Sequence, residues 1–308
     1  MSRGGEKEAV AASSWSLVQY KSADSTARAG ILIGESVRVL PSSWPCTMME
    51  ILADWDTYKN KFAAQHSHYL NELPEIADAV LVAPITYPGK LMCAGANYYS
   101  HAAEMGTAKP DPTASPFFFL KAPTTTILGP DALIPIPEGD DPNFDWEVEL
   151  GVVIGRGGKN IPCHEARSHV AGYVVADDLS ARGHFRRDDS TSPVFEYDWI
   201  AQKSRDGSCP IGPGITPAWQ VPDIEDHRIY LSVNGELKQD STISDLVVGI
   251  DGLVAAASEL MTLEPGDIIL TGTPAGVGMP AGTFLTEGDL VVAGIDGLGE
   301  ICHRLVRY

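Results

Sequence analysis

The stretch Phe144-Asp145-Trp146-Glu147-Val148-Glu149-Leu150-Gly151-Val152-Val153-Ile154 alternates charged and apolar residues and then turns fully apolar. That is the pattern of a β-strand, in which residues two apart share a face. Glu147 and Glu149 therefore project to one side, while Val148 and Leu150 pack on the other. Two neighbouring carboxylates repel, and in a half-buried sheet they need a proton or a cation between them. An all-oxygen donor set suits Mg²⁺, Mn²⁺ or Ca²⁺ better than a thiolate-loving metal. By spacing alone the plainer alternative, a solvated strand face with two unrelated glutamates, stays open.

A second acidic signal lies downstream. The apolar run Val170 to Ala176 stops abruptly at Asp177-Asp178, followed by Leu179-Ser180-Ala181-Arg182. A strand that delivers an acid from its end can complete a metal site, and an ordinary strand-terminating turn would look the same.

Around these two segments the sequence reads as mostly β. LMCAGA, SPFFFLK, HVAGYVVADDL, IYLSVNG, GDIILTGTP, GDLVVAGI and GEICHRLV are short β-like runs separated by Gly and Pro. The clearest helical period is Leu246 to Leu263. Strands that do not alternate with helices argue against a doubly wound parallel sheet and for a closed or rolled β domain. Nearer the start, Trp15 to Leu40 reads as a hairpin around a Gly-Glu turn, and Thr47 to Leu73 carries helix formers at helical spacing. The organisation expected is a flexible tail at 1–13, a small α+β unit at 14–86 and a β-rich catalytic domain at 87–308, with the boundary in the turn-prone Pro84 to Lys90 stretch.

Composition narrows the function classes. A chain of 308 residues with 44% apolar content can bury a sizeable core, and its formal charge of −19 opposes binding to phosphate backbones. Nucleic acid is thus not an expected partner. Apolar runs such as Val291 to Ile295 fall far short of the roughly 20 residues a bilayer span needs, and Met1 to Ala12 does not read as a secretory signal. The five cysteines are scattered, odd in number and never spaced CxxC, which fits a reducing cytoplasm. The glycines of 155–158 and 272–278 lack the spacing of nucleotide-binding loops and read as turns. An anionic ligand approaching so acidic a surface needs local positive charge, which a bound metal would supply.

Taken in order, KLMCAGANYYSHAAEMG (90–106), Phe119-Leu120-Lys121, WEVELGVVIG, DDLSAR, QKSRDGSCPIGP, LSVNGE and GDIILTGTPAGVG resemble the fumarylacetoacetate hydrolase family, from about residue 88 to the C-terminus. The resemblance implies an α+β, mostly β fold, a β-roll, usually as a homodimer, with Mg²⁺ (Mn²⁺ or Ca²⁺ being possible substitutes) held by Glu147, Glu149 and Asp178. It further implies that His101, oriented by Glu104 one helical turn away, acts as general base. Lys203 corresponds to the family's active-site lysine, placed to hold developing negative charge. Tyr98, Lys121, Arg182 and Thr273 fall at positions expected to contact substrate, Thr273 at its carboxylate. Asn234 is expected to be structural, with Gly95 and Asn97 at the pocket edge. One departure stands out. Relatives continue the SAR motif with Asp and then Gln, whereas here Gly183, His184 and Phe185 follow, then a longer polar segment, Arg186 to Tyr197.

These features lead to the expectation of a metal-dependent hydrolase that cleaves a C–C bond in a small 2,4-dioxo acid of the acylpyruvate kind, in catabolism of aromatic compounds or sugar acids. The Ala- and Gly-rich stretch around His101 would act as a lid. A 2-oxo diacid decarboxylase or a keto–enol isomerase would use the same metal site. A non-catalytic metabolite-binding protein is the alternative from another class.

Overall fold

A computed structural model describes residues 14–22, 26–64, 67–139 and 142–307. The tail expected at 1–13 lies outside the described residues. Among those described, the strands form three sheets. The largest has twelve strands. Ten of them run Glu75–Ile76, Ser36–Val39, Arg28–Ile33, Trp15–Lys21, Cys209–Pro217, Val170–Asp177, Val148–Ile154, Ile268–Leu270, Leu91–Gly95 and Phe117–Lys121, with Val80–Val82 beside Trp15–Lys21 and Ile127–Leu128 beside Cys209–Pro217. A five-stranded sheet runs Glu236–Thr242, Arg228–Val233, Leu290–Ile295, Gly299–Val306 and Leu133–Pro135, and a two-stranded one joins Phe144–Asp145 to Ser180–Ala181.

The Val148–Ile154 strand sits in the middle of the large sheet, antiparallel to Val170–Asp177 on one side and to Ile268–Leu270 on the other. Its alternation sorts side chains as the spacing predicts. Val148, Leu150, Val152 and Ile154 enter a core with Leu231, Val291, Ala293, Ile301 and Leu305 of the five-stranded sheet. Val153 points the other way, into a second core with Val174, Ala176, Met48, Ile51, Trp55 and Phe62. The strand is thus buried on both faces, which accounts for its unbroken apolar end.

The helices Met48–Ala53 and Trp55–Ala64 build that second core against the large sheet. The first begins at Thr47 because of a capping box: Thr47 Oγ1 accepts from Glu50 N, and the Glu50 carboxylate accepts from Thr47 N. The helix read at Leu246 to Leu263 is shorter, Ile250–Leu260, because Asn97 captures the backbone N–H groups of Val247 and Val248 ahead of it.

Two features differ from the sequence reading or were invisible to it. The Cys209–Pro217 strand is central although it carries Pro210, Pro213 and Pro217, residues that normally sit at sheet edges. Its ladder with Val170–Asp177 skips register between Tyr173 and Val175, so the sheet does not ask every residue there for an N–H. In addition, the large sheet runs on through the boundary placed at 84–90: Trp15–Lys21 pairs with Cys209–Pro217 in register Leu17 to Ile215.

Candidate active site and metal centre

Two antiparallel segments build the acidic centre. Phe144–Asp145 pairs with Ser180–Ala181, and Val148 stands opposite Asp177. Between these anchors Asp178 N donates to Glu147 O at 2.8 Å, and Glu147 N donates to Asp177 Oδ1 at 2.7 Å. The crossing brings carboxylate oxygens of Glu147, Glu149 and Asp178 within 4.8 Å of one another, all buried.

Three cations crowd this cluster. Lys203 Nζ lies 2.7 Å from both Glu147 Oε2 and Asp178 Oδ2. Lys121 Nζ lies 2.5 Å from Asp178 Oδ1 and also donates to Leu179 O. Arg182 donates through Nη2 to Glu147 Oε1 and through Nε to Asp145 Oδ2. Asp145 in turn accepts from the backbone N–H groups of Trp146, Gly278 and Met279, which fixes the 272–279 loop.

The charge is unevenly shared. Burial alone would push the Glu147 carboxyl up, but Lys203 and Arg182, with His101 adding to them, hold it far below the usual carboxylate range. Burial would likewise lower Lys203, yet Asp178 and Glu147 raise it above the usual lysine value. Glu149 gains less: Lys203 acts on it too, but too weakly to offset burial and its acidic neighbours. Burial, then Asp178 and Glu147, push its carboxyl well above the ordinary range, and its hydrogen bond is to the Gly272 amide at 2.7 Å. A buried carboxyl held up by two like charges binds either a proton or a further cation. The oxygen-only donor set therefore fits Mg²⁺, Mn²⁺ or Ca²⁺, held by Glu147, Glu149 and Asp178.

Beside this centre, His101 and Glu104 lie on the Tyr99–Glu104 helix, His101 Nδ1 3.3 Å from Glu104 Oε2. The other Glu104 oxygen accepts from Gly276 N at 2.9 Å, and Ser100 Oγ accepts from Ala275 N. The helix is thus docked on the 272–278 loop. Tyr98 caps it and is buried, and Glu149 is among the charges acting on its hydroxyl.

The predicted substrate contacts sort into two kinds. Arg182 and Lys121 face the carboxylates rather than open space. The Thr273 hydroxyl is engaged inside the protein: it donates to Val148 O at 2.9 Å and accepts from Gln239 Nε2 at 2.8 Å. Gln239 Oε1 also accepts from Val148 N, so one buried glutamine ties the loop to the residue between the two glutamates. Asn97 spends its amide on Val248 O and Thr271 O, and Asn234 closes a turn at φ +53° with its amide on Asp289. In the segment after Arg182, Phe185 lies tilted against Tyr197 and meets Trp199 edge-on, with centroids 5.0 and 4.9 Å apart. Trp199 stacks on Phe119, over which Lys203 Nζ sits at 5.2 Å.

Asp145, Asp177 and Gln239 were not singled out from the sequence. Asp145 adjoins the WEVELG run and Asp177 opens the DDLSAR run, but neither was given a role of its own. Gln239 lies in the polar run ELKQDST, which gives no hint of burial.

The family model described as fumarylacetoacetate (FAA) hydrolase C-terminal matches residues 90–306. The mitochondrial oxaloacetate tautomerase of Xenopus laevis is 36% identical over 300 residues, 94% of this chain and 90% of that protein. The solved fumarylacetoacetate hydrolase of Exiguobacterium antarcticum is 30% identical, with TM-score 0.78 over 96% of this chain and all of the other. The maleylpyruvate hydrolase of Sphingobium sp. SYK-6, solved with manganese(II) and pyruvate, is 29% identical with TM-score 0.74, covering 95% and 99%.

Proposed function

The chain belongs to the fumarylacetoacetate hydrolase family, and from that premise we propose that it is a divalent-metal-dependent keto–enol tautomerase acting on a short 2-oxo dicarboxylate of the oxaloacetate kind. The observation that carries the reading is the converging triad of Glu147, Glu149 and Asp178, with Glu149 left short of positive charge. The likeness to an oxaloacetate tautomerase across nearly the whole chain favours tautomerisation over the C–C hydrolysis expected from the sequence.

A metal held by the triad would polarise the 2-oxo oxygen of the substrate. The rest falls to side chains. Lys203, spanning Glu147 and Asp178, places fixed positive charge where enolate charge develops, and such preorganised charge lowers the barrier without reorganisation. In the enol-to-keto direction the oxygen loses its proton and C3 gains one. His101, aligned by Glu104, is the group assigned to move that proton.

The test follows the decay of enol-oxaloacetate with and without the protein, with Mg²⁺ or Mn²⁺ and then with EDTA. Acceleration by either ion, abolished by EDTA, is expected; no acceleration with either sinks the reading. Hydrolysis of an acylpyruvate is the second reading, favoured by the His101–Glu104 pair, which could equally activate water. Release of pyruvate from an acylpyruvate panel would select it, and CO₂ from oxaloacetate would select decarboxylation.

A further inference from the structure

Behind the acidic centre lies a buried pair that the proposed chemistry does not use. Asp177, at the tip of the Val170–Asp177 strand, and His303, on Gly299–Val306 of the five-stranded sheet, are both fully enclosed. His303 Nε2 stands 3.0 Å from Asp177 Oδ2, a close polar contact set off the line of a well-directed hydrogen bond. The other Asp177 oxygen accepts from Glu147 N, while Glu147 O accepts from Asp178 N. The peptide that carries one triad glutamate is therefore gripped at both polar groups by the segment that carries the triad aspartate. His303 ties Asp177, and with it that grip, to the five-stranded sheet, beside the tie that Gln239 makes to Val148 N. Among the described residues His303 Nδ1 meets no hydrogen-bond partner, and a buried polar atom left so in a folded core calls for an explanation beyond packing.

We infer that Asp177 and His303 form a positioning unit that sets the Glu147 carboxylate against Glu149 and Asp178, so that His303, without touching the ion, fixes how tightly the triad holds a divalent cation. The inference rests on the metal-binding reading of the triad. Residues that orient ligands from behind commonly change metal affinity by about 10–100-fold when replaced.

The sign of the effect separates positioning from proximity of charge. Were His303 only a nearby positive or polar group, the neutral replacement His303→Gln would leave cation affinity unchanged or tighten it. Positioning demands that it loosen. Mn²⁺ binding to the full-length metal-free chain, measured by calorimetry on wild type, His303→Gln, Asp177→Asn and the double variant, is the experiment. The expected result is a Kd raised about tenfold or more by each single change, and no further by the double change, because two members of one unit are not additive. Unchanged or tighter binding in His303→Gln overturns the inference, as do losses that multiply in the double variant. Wild-type chain that binds no Mn²⁺ removes the metal reading itself, whereas wild-type binding with indifferent variants removes only the unit. Should His303→Gln not fold, the imidazole nitrogen resonances of the native chain serve instead. Mg²⁺ is expected to shift those of buried His303 and leave exposed His164 in place; an unmoved His303 overturns the inference.

Discussion

Glu149 is the residue on which the chemistry turns, because it is the member of the triad whose charge the protein does not neutralise. Its raised carboxyl sets a pH dependence whose sign can be worked out. A proton that sits on Glu149 above the ordinary carboxylate range of about 4.3 must leave when a cation binds. Metal affinity is therefore expected to rise with pH through the window between that value and the raised one, with proton release that calorimetry in buffers of different ionisation heat would register. In the metal-free chain this group works against the usual trend: its own contribution favours the folded state at the acid side of the window and fades as pH rises. Glu149→Gln keeps an acceptor for the Gly272 amide and removes the charge. It is expected to raise the Tm of the metal-free protein, by about 1.5 °C per kcal/mol gained in a chain of this length, while Mn²⁺ binding falls. A lowered Tm would show that Glu149 is not under electrostatic stress. A period of two and an abrupt end to an apolar run marked Glu147, Glu149 and Asp178 as candidates, but those local signals left plainer readings open, and it was the family resemblance that joined the three acids into one site. Gln239 and His303 were not marked, because they reach the centre from the five-stranded sheet, and nothing local marks a residue whose partners lie on other strands and loops far along the chain.

At the scale of elements, the Tyr99–Glu104 helix and the 272–279 loop behave as one piece. Glu104 holds His101 with one oxygen and Gly276 with the other, so the base and the loop share a single support. His101→Ala is expected to lower kcat by about 10²–10⁴-fold, with Mn²⁺ affinity changed by no more than about twofold; a rate near that of wild type would remove His101 from the reaction. Glu104→Ala should reproduce that loss and also loosen the loop, readable as faster amide exchange at Ala275 and Gly276. A helix so docked is further from a free lid than the Ala- and Gly-rich composition suggests. The strands with alternating or continuous apolar patterns could be read from the sequence, and so could the capped helix at Thr47. The Cys209–Pro217 strand could not: three prolines normally argue against a central strand, and the skipped register makes room for Pro213, while Pro217 stands in register opposite Gly172 and Pro210 opposite Leu128.

Over the whole molecule, the two sheets enclose one core and the helices of the N-terminal part close the other, with the acidic centre at the strand ends. The sequence suggests a seam at 84–90, yet the Trp15–Lys21 strand crosses it by pairing with Cys209–Pro217. A fragment comprising residues 87–308 would therefore leave that strand with an unpaired edge and uncover Val153, Val174 and Ala176. Bare edges and apolar faces of that kind promote association, so the fragment is expected to aggregate or to be rescued by adding residues 14–86 in trans. A monodisperse, cooperatively melting fragment would contradict this.

The shared sheet also constrains how such a chain could be remodelled. A front end spliced on from elsewhere would have to supply a strand of matching register and a lining of matching shape for a surface it did not grow up with. Changes there are felt in the same slab of backbone that carries the acids, which ties the history of the first eighty residues to that of the chemistry.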